Sequence, residues 1–77
     1  MTNREELRAL IRRAEDAGAQ IVVLYDFWAA ADEGRAVISD VRVLKTTHPA
    51  FRDIGPGWMS NIAAAKRLRE AVAKLPA

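Results

Sequence analysis

Residues 20–28 read QIVVLYDFW, and the fold turns on how this stretch pairs. It is crowded with β-branched and aromatic side chains, the composition of a strand. Residues 35–45, RAVISDVRVLK, repeat the pattern. Between them lies Ala29-Ala30-Ala31-Asp32-Glu33-Gly34, a connection that ends on a turn-forming glycine. With Asp32-Glu33-Gly34 as the loop and Gly34 left-handed, Ala31 pairs with Arg35, Val23 faces Val43, Tyr25 faces Val41 and Phe27 faces Ser39. One face then holds Ile21, Val23, Tyr25, Phe27, Val37, Val41 and Val43. A loop shorter by a residue would turn Asp40 and Arg42 into that face. The apolar parity favours the longer loop.

Helices flank the hairpin. Thr2-Asn3-Arg4-Glu5 has the form of a capping box, and Leu7, Leu10, Ile11 and Ala14 follow at helical spacing. Gly18 supplies a stop. A first helix is expected from about Asn3 to Ala17. A second is expected from about Trp58 to Leu75, with Ala64, Ala65, Leu68, Ala71, Val72 and Leu75 on one stripe. The segment 45–57 shows no period; Pro49 opens a helical turn there, and Phe51 and Ile54 tack it down. The order is α-β-β-α, an α+β fold in a single small domain spanning residues 1–77, with an antiparallel β-hairpin packed with two helices.

The chain is 77 residues long with a net charge of +2 and no cysteine. A chain of this size buries roughly 60% of its unfolded surface, so a partner helps its stability. Without cysteine there is neither a disulfide framework nor a thiolate metal site. No apolar segment follows a basic start at Met1-Thr2-Asn3-Arg4, so no secretory signal is expected, and the apolar run Ile21 to Tyr25 is too short to span a membrane. The expected location is the cytoplasm.

Three constellations raise the question of chemistry. In DIGPGW, residues 53–58, two glycines flank a proline ahead of a helix. A phosphate cradle needs consecutive backbone N–H groups, and Pro56 removes one; the stretch turns the chain. Asp26 and Asp40 oppose each other on the second hairpin face in the register above. A hard cation would want further oxygen ligands, and Arg42 lies diagonal to Asp26 as an ordinary cross-strand partner. His48, with Thr46, Thr47 and Asp53 nearby, offers the residue types of a hydroxyl nucleophile and base. A lone histidine before Pro49 reads instead as a turn or cap. No catalytic, cofactor or metal-binding residue is assigned, and the chain is expected not to be an enzyme.

Surfaces are more informative. The second hairpin face carries Val22, Leu24, Trp28, Ala30, Ala36, Ile38 and Leu44, a patch of the kind that marks an interaction site. Either one helix packs on each face of the hairpin, or this face meets another chain; the second is expected, as an edge-extended sheet or a face-packed homodimer. Lys66, Arg67, Arg69 and Lys74 make the last helix basic. They fit an acidic protein surface or the backbone of a nucleic acid. The expected partner-binding residues are Trp28, Ile38, Leu24, Arg67, Arg69, Lys66 and Lys74.

In size, and in lacking a catalytic motif, the chain is similar to stand-alone phage-type inhibitors such as anti-CRISPR proteins. That similarity involves no shared motif. It implies a non-enzymatic small inhibitor or adaptor that occludes part of a larger machine. The alternative is an accessory nucleic-acid-binding regulator that uses the basic C-terminal helix.

Overall fold

A computed structural model describes residues 3–26, 37–45, 48–55 and 57–76. The elements are α1 (Asn3–Asp16), β1 (Gln20–Asp26), β2 (Val37–Lys45), a 3-10 turn (Pro49–Phe51), β3 (Met59–Ser60) and α2 (Asn61–Val72). The strands form one antiparallel sheet in the order β1-β2-β3. The fold is α+β, as the sequence predicts, with a short third strand added to the hairpin.

Local chemistry sets the ends of α1. Leu7, Ile11 and Ala14 are buried along one stripe, as their spacing requires. The helix stops at Gly18, whose φ is 100°. The Gly18 N–H donates to Glu15 O at 3.0 Å, and the Ala19 N–H reaches back to Ala14 O at 3.0 Å. These paired bonds, with buried Ala19 beyond the glycine, satisfy the last carbonyls and aim the chain into β1. Thr2, the expected cap at the other end, lies outside the described residues.

The hairpin register differs from the expected one. Val23 faces Val41 and Ile21 faces Val43, so β1 is slid by two residues along β2. Such a slide leaves every side chain on its own face, which is why strand parity does not detect it. Tertiary packing sets it: Val41, in the central strand, is fully buried in one core with Leu68 and Phe51. A bulge then shifts the pairing between Leu24 and Tyr25, leaving Ser39 as the extra residue on β2. Tyr25 consequently faces Ile38, where Val41 was expected. The Ser39 hydroxyl lies 3.3 Å from Leu24 O and 3.1 Å from Asp40 Oδ2, and donates to one of them at a time. The expected Asp32-Glu33-Gly34 loop and Phe27 lie outside the described residues.

The bulge also exchanges the faces of the β2 residues beyond it. Val37 and Ile38 stay consecutive in the ladder, and both are only 7% exposed. Ile38 is a core residue, while Tyr25, expected inside, is 45% exposed.

The second helix begins later than its apolar pattern implies. Met59 pairs with Val41 and Ser60 with Asp40, so this segment is strand. Ser60 is also the N-cap of α2: its backbone is extended, and its Oγ accepts the Ala63 N–H at 3.2 Å. Asn61 Nδ2 donates to Ile38 O at 3.0 Å, tying the start of α2 to the bulged end of β2.

Leu7, Ile11 and Ala14 of α1, Ile38, Val41 and Val43 of β2, and Ala64, Leu68 and Ala71 of α2 join in one core with Phe51. Both helices therefore lie on the same side of the sheet. Small residues on α2 let it approach α1 closely. Phe51 enters from the 3-10 turn, which His48 caps by accepting the Ala50 N–H on Nδ1 at 3.0 Å.

Candidate partner-binding surfaces

Two surfaces follow from this arrangement. The first is a cleft of about 680 Å³ where the first half of α1 lies beside α2 and the start of β2. Its floor is the buried apolar set Leu7, Val37, Ile38 and Ala65. Ile62 stands at its mouth, 77% exposed. Exposed Arg8 and Lys66 supply basic charge along the rim, and Glu70 one acidic group. Arg69 also lines the cleft, with its Nε on Glu6 Oε1 across the two helices. Volumes of this order accept a small ligand or a few anchoring side chains.

The second surface is the sheet face turned away from the helices. Val22, Leu24 and Leu44 are 37%, 49% and 47% exposed there. Leu24 faces Asp40 and Val22 faces Arg42, so the apolar side chains alternate with charged ones across the strands.

The expected partner residues separate into groups. Ile38, Lys66 and Arg69 come together at the cleft, Ile38 as part of its floor. Leu24 lies on the outer sheet face. Arg67 on α2 and Lys74 in the turn after it are exposed but do not line the cleft. Trp28, Ala30 and Ala36 lie outside the described residues. Arg8 and Ile62 were not among the expected contacts. The signal for Ile62 was present: it is a large apolar residue lying off the alanine-rich stripe of its helix.

The other constellations resolve structurally. Asp26 pairs with Val37 and Asp40 with Leu24, so the two carboxylates do not oppose each other; the slid register and the bulge separate them. Among the described residues, no three His, Cys, Asp or Glu side chains cluster so as to hold a metal ion. His48 serves as a cap, and its ring meets Phe51 edge-on with centroids 6.1 Å apart. Thr46 and Thr47 lie outside the described residues. DIGPGW leads into β3, which intervenes before the helix. Neither Gly55 nor Gly57 has a positive φ, and a Cβ on either would meet nothing within 4 Å. Pro56 lies outside the described residues.

Among the described residues, no helix is long and apolar enough to cross a membrane. Compared with protein-family models, curated proteins and solved structures, the chain matches none.

Proposed function

We propose that this protein is a non-enzymatic protein-binding module, a small inhibitor or adaptor that docks through the α1–α2 cleft. The observation that carries the reading is an apolar floor joined to a basic rim, with Ile62 exposed at the mouth. An exposed isoleucine beside a buried apolar floor loses water on contact, and burial of such a side chain contributes about 1.5–3 kcal/mol. Lys66 adds a preference for acidic neighbours of the anchor. The partner chemistry is therefore an apolar side chain flanked by carboxylates, presented by another protein.

The test is capture from the native host with nuclease present, comparing the native chain with Ile62→Asp and Lys66→Glu. One stoichiometric protein held by the native chain and lost by both variants supports the reading. Equal capture by all three removes the cleft from it.

A second reading, an accessory nucleic-acid-binding regulator, rests on the exposed Lys66, Arg67 and Lys74. Phosphate contacts of this kind give an affinity that falls steeply with salt and vanishes with nuclease treatment. Arg69 contributes less to that surface, because Glu6 already holds it.

A further inference from the structure

We propose that β1 is a self-association edge: two copies pair antiparallel along Gln20–Asp26 about a two-fold axis through Val23, joining two sheets into one. β1 is the terminal strand of the β1-β2-β3 order, so one of its sides faces β2 and the other meets no strand among the described residues. It is also the longer edge, 7 residues against 2 for β3. Edge strands are commonly guarded by lysine, proline, an inward charge or a bulge. The run QIVVLY carries none of these before Asp26. Both irregularities of the hairpin place their extra residue on β2, at Ser39 and Leu44, which leaves β1 a regular strand.

The sequence of β1 is self-complementary in one register. Directly opposed residues of an antiparallel pair share a face, so the axis must pass through a residue rather than between residues. An axis at Val23 pairs the whole strand. Val22 then meets Leu24 of the second copy on the outer face, twice over. Ile21 meets Tyr25 on the other face, and Val23 meets Val23. At the ends, the Gln20 amide meets the Asp26 carboxylate, a donor against an acceptor. No like charges face each other in this register. Shifting the axis to Val22 or Leu24 leaves part of the strand unpaired.

The exposures fit this arrangement. Val22, Leu24 and Tyr25 each retain more than a third of their surface. Pairing covers the flanks of all three and aligns Val22, Leu24 and Leu44 of both copies into one strip. A second copy lies along the whole strand, and a small chain without disulfides gains stability by association. No residue of β1 lines the α1–α2 cleft, so the β1 edge and the cleft are separate surfaces.

The experiment is sedimentation of the full chain across the micromolar range, supported by cysteine cross-linking, which the cysteine-free sequence makes unambiguous. The native chain should be a dimer. The Val22→Lys/Leu24→Lys variant replaces exposed residues and should stay folded by circular dichroism. Its self-association should weaken by roughly two- to thirtyfold, from two opposed like-charged pairs. Mixing it with Val22→Glu/Leu24→Glu should restore a dimer, because residue 22 of one copy faces residue 24 of the other. Oxidised Val23→Cys should give a covalent dimer, whereas Val22→Cys should link only when mixed with Leu24→Cys. A native chain that stays monomeric at high micromolar concentration would overturn the proposal. So would a dimer that both lysines leave intact. A dimer that the lysines dissolve but Val23→Cys does not link would place the contact on the outer sheet face instead, and would equally refute the edge.

Discussion

Arg69 on α2 reaches across the helix pair to Glu6 on α1, with 2.5 Å between Nε and Oε1. The pair ties the two helices together on their solvent side, above a core that already holds them with Leu7 and Leu68. It also engages one of the residues that sequence reasoning offers to a partner. Arg69 is 57% exposed and Glu6 31%, so solvent screens their attraction. A double-mutant cycle with Glu6→Gln and Arg69→Gln should return a coupling of roughly 0.2–1 kcal/mol that shrinks in high salt. A salt-independent coupling well above that range would show the pair to be shielded from water.

Leu68 is fully buried between the helices and the sheet. Leu68→Ala should lower stability by about 2–5 kcal/mol, with the denaturant midpoint falling and the m-value retained. Ile62→Ala, on the same helix but exposed, should stay within about 0.5 kcal/mol of the native chain.

Two glycines make a matched comparison. At Gly18 a side chain must enter the left-handed region, so Gly18→Ala should cost about 1–2 kcal/mol. Gly57 has no positive φ, and an added Cβ meets open space, so Gly57→Ala should be neutral or slightly stabilising. Thermal unfolding of the two variants side by side gives the answer. Equal losses would mean that Gly57 has a constraint beyond its own backbone.

Ser60 both closes the sheet and opens α2. Ser60→Ala removes the acceptor for the Ala63 N–H and should cost about 1 kcal/mol. Ser60→Asp keeps an acceptor and should recover most of that loss. Ser60→Asp also places a carboxylate opposite Asp40, so recovery should improve as salt rises.

The basic residues that do not face Glu6 predict a kinetic signature. Reversing Lys66 and Arg67 to Glu should slow association with an acidic partner far more than it speeds dissociation, and the difference should fade with salt. Reversal of Arg69 combines this effect with the loss of its contact to Glu6, so it should also lower stability. Surface plasmon resonance with each variant separates the two contributions. Association rates indifferent to both salt and charge would remove the α2 surface from binding.

Much of the architecture is local and was therefore legible in the residues. The spacing of Leu7, Ile11 and Ala14 fixes the buried stripe of α1, and Gly18 its stop, because helical period and left-handed backbone are properties of short segments. The apolar alternation of Ile21, Val23, Val41 and Val43 likewise determines which face of the hairpin is inside. His48 reads as a cap from its place before Pro49. Tertiary structure decided what no local pattern encodes. A slide by two residues preserves every face, so strand parity does not select the register, and the one adopted buries Val41 in the core with Leu68 and Phe51. The bulge at Ser39 brings Ile38 into the core, against the alternation read from the sequence. Met59–Ser60 is too short to show a period, and it becomes strand only because β2 lies beside it. The cleft arises in the same way: Leu7 and Ala65 lie on helix stripes legible in the sequence, Ile38 was expected on the opposite hairpin face, and the meeting of α1, α2 and β2 brings the three together as the floor of an open surface.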